Sequence, residues 1–581
     1  MNDFIQRLRE RKLVQWALAY AAAAFAFIQV LDVVAQRFGW PDQLEKLLIL
    51  ALAIGFFVTL VLAWYHGERG AQKITATELS ILALLLAIGG GLLWRYEHAA
   101  PAQIAASSAP AQSIPAKSIA VLPLTNASGD KNEQFFSDGL SENLITALSQ
   151  FSGLKVIGRN SAFQFRDSRD DSKTIGAKLG VATLLEGSVQ HAGDEVRINA
   201  ELIKAADGST LWSQRYDRPY KDLFKLQDEI TQAVATALKT KLLANDTAAA
   251  QSDRPPSGNL TAYTAYLQGK FYFSRNTEAD FRKAIDADTT ATRLDPQYAL
   301  AWAELSRIWS GLAAQSLDGA AAQQGYAQAR TAVNTALTLE PNLAAAHATR
   351  GYLLVRADFD WNGAEAEYRR AVQLAPNDGN VMFSLGNLLA MLGQPEQAVA
   401  LSRQALATDP LNANWYHWLA AYFSGLGRLD EAEQAIRKAI ELQPAAESYH
   451  LQLAVIAIQR GDAKAALAAA QQEPAAGGWQ EIALALARQI GSDRAAADTA
   501  LKALIDHQAN VSPYQIAEVY ALRKDADNTF VWLDRAWAAR DPGITYLLTD
   551  PFILRYQHDP RFAAFCKKAG LPTTTEAKAM P

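Results

Sequence analysis

A single cysteine, Cys566, stands in 581 residues, so neither an intrachain disulfide nor a cysteine-based metal cluster can form. Eight histidines lie at 66, 98, 191, 347, 417, 450, 507 and 558, with no pair at ligand spacing on a helix. A basic excess is missing too: 55 Lys and Arg face 60 Asp and Glu, and both signs are spread throughout. Nucleic-acid binders carry a basic stripe, so no nucleic-acid partner is expected. The chain has no G-x-S-x-G, no P-loop and no metal triad. Neither catalysis nor a bound metal or cofactor is expected of it.

Long apolar runs are present near the amino terminus, at about 13–34, 47–64 and 79–96. A bilayer core of about 30 Å takes about 20 helical residues, so these read as three transmembrane helices in an anchor over 1–98. Trp16, Trp40, Trp64 and Trp94 sit near their ends, where amphipathic rings prefer the headgroup layer. A cleaved signal peptide is the rival reading of the first run. Arg7, Arg9, Arg11 and Lys12 precede that run, which puts the amino terminus in the cytoplasm by the positive-inside rule. Three crossings then place the later domains in the periplasm, making the chain a multi-pass protein of the bacterial inner membrane.

Residues 99–116 are nearly all Ala, Pro, Ser and Gln and read as a linker. A small α/β domain is expected over 117–247. Ser118 to Leu122 and Lys155 to Gly158 read as short strands, and Leu140, Leu144, Ile145 and Leu148 mark one face of a helix. Glu195 to Lys204 alternates apolar and polar residues and pairs with Thr183 to Gln190 around Ala192-Gly193-Asp194. A strand from Thr210 to Tyr216 and an amphipathic helix from Leu223 to Leu242 follow. Asn126, Ser128 and Asp130, with Asp138 and Glu142, crowd the turn after the first strand, and Arg159, Asn160 and Ser161 follow the second. A strand, polar turn and helix start can form an anion or metal pocket. Asp and Ser at a helix start are more often caps.

The phrases KSIAVLPL, FFSDGLSENLITALS, LEGSVQHAGDEVRINAELIKAADGSTLWSQRYDR and LFKLQDEIT resemble the TolB amino-terminal-like (FlgO-type) domain over about residues 117–243. That resemblance implies a module set between an effector, often a winged helix or a nucleotide cyclase, and tetratricopeptide repeats. Only 12 residues precede the first apolar run here, too few for either effector.

A second linker, 248–258, leads to a helical region over 259–542 and a capping segment over 543–581. Pro376, Pro410 and Pro444 recur every 34 residues (410 − 376 and 444 − 410). Each follows small residues in register, as in Gly386, Ala398 and Ala405, or Ala420, Ala432 and Ala439. Small residues let two helices cross closely, and the proline ends the second helix. The pattern resembles the tetratricopeptide repeat, which implies an all-α solenoid with a concave wall built from the first helix of each pair. Positions expected on that wall are Asn380, Phe383, Asn387, Asn414, His417, Leu451, Val455 and Ile458. Asn387 and Asn414 offer hydrogen bonds to a peptide backbone, and Phe383, Leu451, Val455 and Ile458 offer apolar anchors.

The fold expected is thus multidomain: three transmembrane helices, a small α/β domain and an all-α solenoid. The function expected is a membrane-anchored scaffold that binds partner polypeptides of the cell envelope in the groove. The alternative is an envelope sensor, whose α/β domain binds a small ligand or glycan and signals through a partner membrane protein.

Overall fold

The computed structural model describes residues 114–238, 241–242, 253–315 and 319–573, with the isolated positions Tyr20 and Ala24. The first ordered module is an α/β domain. Its sheet runs β4-β1-β5-β6-β7, with β2 paired beside β5. Here β1 is Ser118–Val121, β2 Thr125–Asn126, β4 Lys155–Val156, β5 Thr183–Ala192, β6 Glu195–Lys204 and β7 Thr210–Pro219. β1 is parallel to both β4 and β5, whereas β5, β6 and β7 are antiparallel neighbours. A two-stranded pair, β3 (Phe151–Ser152) with β8 (Lys241–Leu242), stands apart.

The period of two along β1 sorts its side chains between two cores. Ile119 and Val121 face helices α1 (Gln134–Leu148) and α4 (Leu223–Ala237), packing with Leu140, Leu144, Ile230 and Val234. Ala120 and Leu122 belong to the opposite core, with α2 (Arg159–Ala162), α3 (Ser172–Leu179), Ile157, Phe165 and Leu184. Leu411, from the helical array, completes that second core.

Eight helical hairpins follow among the described residues. They are Leu260–Phe273 with Glu278–Leu294, Ala299–Gln315 with Gly319–Leu339, Ala344–Leu353 with Trp361–Leu374, and Gly379–Met391 with Pro395–Thr408. Then come Ala413–Gly425 with Leu429–Leu442, Tyr449–Gln459 with Ala463–Gln472, Trp479–Arg488 with Arg494–Gln508, and Pro513–Leu522 with Ala526–Ala538. Asn259, Asp360, Asp378, Asn412, Asp462, Asp493 and Asp525 cap helix starts by accepting from backbone N–H groups that have no partner within the helix. The small residues that set the repeat, Ala364, Ala371, Ala398, Ala405, Ala432 and Ala439, are all fully buried at helix crossings. Residues 319–325, whose glycines and glutamines read as a loop, instead lengthen the second hairpin, because Ala and Gln favour helix from Gly319 onward.

The transmembrane part of the expected fold is corrected. Among the described residues no helix is long and apolar enough to cross a membrane. Even the longest, Gly319–Leu339, carries Arg330 and seven other Gln, Thr and Asn residues, and its buried side chains face its neighbours. The apolar runs 13–34, 47–64 and 79–96 lie outside the described residues. The multi-pass inner-membrane and periplasmic placement rested on those spans and is withdrawn with them.

Candidate functional site: the inner wall of the helical array

Asn380 and Asn414 are exposed on the first helices of the fourth and fifth hairpins, and Asn387 is half-buried between them in sequence. Phe383 is buried, its ring stacked 5.3 Å from Trp415 of the next hairpin. His417 stacks 4.9 Å from Tyr449, so the wall carries aromatic contacts from one hairpin to the next. Burial drives the His417 imidazole down to about 4, because the charged ring is poorly solvated there. Leu451 and Val455 are half-buried and Ile458 is buried; all three pack into the large core that the array shares with its own terminal segment.

That terminal segment is the feature the sequence pattern did not announce. After the eighth hairpin the chain makes 3-10 turns at Pro542–Tyr546 and Ile553–Tyr556 and a last helix, Pro560–Ala569. It runs back over earlier hairpins. Tyr546 stacks 5.3 Å from Trp418 on the fifth, and the Thr549 carbonyl lies against Gly425 on the same helix. Trp361 donates through Nε1 to the Ala569 carbonyl at 2.8 Å, across 208 residues of sequence. Arg540 donates to the Ala357 carbonyl at 2.8 Å, and its guanidinium stands 5.4 Å from the Phe359 ring centre. Phe359 in turn stacks on Trp537 at 5.5 Å. The Trp361 donor and the Tyr546–Trp418 ring contact thus hold the segment against hairpins three and five, while Arg540 and Trp537 hold the end of the eighth hairpin against the third.

The segment brings acids together. Tyr514 donates to Asp550 at 2.9 Å, and Asp550 also accepts from the N–H groups of Phe552 and Ile553. Burial raises both Glu518 and Asp550, and the neighbouring Asp550 charge raises Glu518 further.

The α/β residues divide. Asp130 caps a 3-10 turn by accepting from Asn132 N–H at 2.8 Å. Asn126 donates to the Asp130 carbonyl and accepts from Ser128 N–H, and the Ser128 hydroxyl accepts from His191 N–H. Asn126, Ser128 and Asp130 therefore form one bonded turn. Arg159 is engaged elsewhere: it pairs with Glu142 and lies 4.5 Å from the Phe163 ring centre. Glu142 also pairs with Lys270 of the first hairpin. Burial alone would raise Glu142, but Lys270 and Arg159 outweigh it and hold the carboxyl below its ordinary range. Among the described residues no three His, Cys, Asp or Glu side chains are grouped so as to hold a metal ion.

A joint between domain and array also escaped sequence reasoning. Asp409, buried in the loop between hairpins four and five, accepts from Ser161 N–H at 2.6 Å and from the Ser161 hydroxyl. That hydroxyl accepts from Leu411 N–H at 2.8 Å, Gly158 N–H donates to the Thr408 carbonyl at 2.8 Å, and Gln164 donates to the Leu411 carbonyl at 2.7 Å. The Asp-Pro pair at 409–410 reads as a helix stop; nothing in its spacing announces a partner 248 residues earlier.

Comparison with known proteins matches residues 115–233 to the family "HilA/YgeH-like transcriptional regulator, second domain", and residues 355–422 and 413–445 to two tetratricopeptide repeat models. A protein of Rhizobium meliloti (strain 1021) named "Putative adenylate cyclase 3" is 33% identical over 340 residues, covering 58% of this chain and 45% of that protein. The chain thus spans less than half of that relative's length. Among solved structures, the type IV pilus biogenesis factor PilW is 21% identical, covering 37% of this chain and 92% of its own, with a TM-score of 0.32. Yeast Tom70 is 16% identical, covering 53% of this chain and 67% of its own, with a TM-score of 0.34. The hairpin geometry, the buried alanines and the two matched models agree: the C-terminal region of this chain is built of tetratricopeptide repeats.

Proposed function

We propose that this chain is a non-catalytic protein-interaction scaffold, whose tetratricopeptide array takes up partner polypeptide along the wall of its first helices. One observation carries the reading: residues 541–571 already lie on that wall, with the Tyr546 ring against Trp418 and the Thr549 carbonyl against Gly425 of one first helix. Such contacts recognise a backbone and its aromatic side chains, which is how helical grooves bind segments of other proteins. Asn380, Phe383, Asn387, Asn414, His417, Leu451, Val455 and Ile458 are the residues assigned to it, with exposed Asn380 and Asn414 available for the first contacts.

The α/β domain is read as a TolB amino-terminal-like (FlgO-type) regulatory module. A segment similar to it forms the second domain of a transcriptional regulator family, which is consistent with a part that serves an effector. Asn126, Ser128, Asp130 and Arg159 are assigned structural roles within it, since each is satisfied by a partner in its own chain.

The test is photocrosslinking in cells from Asn380 and Asn414, with Arg369 and Arg437 on second helices as controls. A discrete protein adduct from the first pair and absent from the second supports the scaffold. Adducts that are identical from all four positions, or no adduct with any protein, overturn it.

A further inference from the structure

Residues 541–571 are unlike the repeats they cover. They form two 3-10 turns and one ten-residue helix where the array has paired helices. Their hold on the fifth hairpin is the Tyr546 ring on Trp418 and the Thr549 carbonyl on Gly425. Asp541 begins the segment as a cap, accepting from Gly543 N–H at 2.7 Å and from Tyr514 N–H at 2.9 Å. Behind it Ile544, Leu547, Leu548 and Phe552 enter the same core as Leu385, Leu388 and Leu392 of the fourth hairpin.

The seam bears unrelieved costs. Phe359 and Arg540, which face each other across it, both have left-handed backbones, with φ of 54° at each. Each sits at a helix end, where that conformation is most often taken by glycine. The Tyr422 hydroxyl, on the helix that carries Trp418, is buried without a hydrogen-bond partner. The segment also departs from the paired-helix pattern that it covers, as an occupant of the wall does and a further repeat does not.

Resting on the scaffold reading above, we propose that hairpins three to five form a polypeptide-docking surface closed in cis by residues 541–571. The partner is a segment of the same chemistry: an acidic cap, a tyrosine five residues on, and a run of apolar side chains. Such a segment puts its ring on Trp418 and its apolar residues on Leu388 and Leu392, and displaces the resident one.

The experiment uses the full chain and a fluorescent synthetic peptide of residues 541–571, with binding read by anisotropy. Wild-type protein, its surface filled, binds the peptide weakly. Tyr546→Ala loosens the resident segment and leaves the surface intact, so affinity rises at least tenfold. Adding Trp418→Ala removes that gain, and a peptide carrying Tyr546→Ala binds at least tenfold more weakly than the wild-type peptide. Equal affinity for wild type and Tyr546→Ala overturns the proposal. So does loss of the helical circular-dichroism signal in Tyr546→Ala and in the milder Arg540→Ala, since the segment would then be part of the fold. A gain in peptide binding with no cellular adduct from Asn380 or Asn414 defeats the scaffold reading by itself; an adduct without the gain defeats this proposal by itself.

Discussion

Asp409→Ala should release the α/β domain from the array at one of its two joints. The carboxylate accepts two bonds from Ser161, one from N–H and one from the hydroxyl, in a site where Asp409 is 3% exposed. A hydrogen bond to a charged group contributes about 1.5–3 kcal/mol, and a buried donor left without a partner costs about 1–3 kcal/mol. The two bonds share one oxygen, so their worth is not a simple sum. About 3 kcal/mol is the expected local loss, which is about a hundredfold in an opening equilibrium. Hydrogen exchange reports this directly: amides of residues 157–165 should lose about a hundredfold protection, while those of hairpins six and seven change little. Asp409→Asn keeps an acceptor for Ser161 N–H and should lose about 1 kcal/mol. In a double-mutant cycle Asp409→Ala and Ser161→Ala should couple by about 1–2 kcal/mol, because each removes the other's partner. A change below threefold at 157–165, or a uniform change along the chain, would refute the claim that this loop pins the domain.

Other consequences follow from buried charge. Asp288 is fully buried with neither carboxyl oxygen hydrogen-bonded, and burial with the nearby Glu304 raises it well above the carboxylate range. A raised acid contributes stability below its unfolded pKa of about 4, and that contribution falls away as pH rises. Asp288→Asn should therefore gain stability over wild type steadily from pH 4 to pH 8, by about 1 kcal/mol or more at the upper end, in chemical denaturation followed across that range. Gly269→Ala should cost at least about 2 kcal/mol by the same assay, because the added methyl meets the Asp288 carboxyl directly. His417 has the opposite sign: depressed to about 4, it favours the fold above about pH 6.5 and withdraws that support as pH falls toward 4. His417→Phe should flatten the acid side of the stability profile. Glu142→Ala strands Lys270 and Arg159 without their shared carboxylate and should cost about 3 kcal/mol at the joint with the first hairpin, again by local exchange.

Periodic features were legible in the sequence, and contacts between distant segments were not. The 34-residue stride located hairpins three to five because close helix crossing demands Ala398, Ala405, Ala432 and Ala439, and each is fully buried. Alternation along Glu195–Lys204 matches its pairing, with Val196, Ile198, Ala200 and Leu202 buried on one face. Residues 319–325 misled because glycine and glutamine read as a loop, although Gly319 alone among them has a left-handed backbone and the helix starts there. Arg159 follows a strand end and so reads as part of an edge with Asn126, yet its charge is drawn to Glu142, which also pairs with Lys270 across the domain joint. The terminal segment has the composition of a cap, and composition says nothing of where a cap lies. Its return to Trp361 and Trp418 depends on the curvature summed over five hairpins, which no local pattern encodes.

The native Cys566 thiol tests the central claim most directly. It is fully buried in the last helix, so a thiol reagent reaches it only when the terminal segment lifts. Gly425 is 141 residues away in sequence, and a methyl placed there would stand 2.5 Å from the Thr549 carbonyl oxygen (566 − 425 = 141). If residues 541–571 lie on the wall of the fifth hairpin, Gly425→Ala speeds labelling of Cys566 at least tenfold while the helical signal is retained. An unchanged labelling rate in that variant would contradict the account.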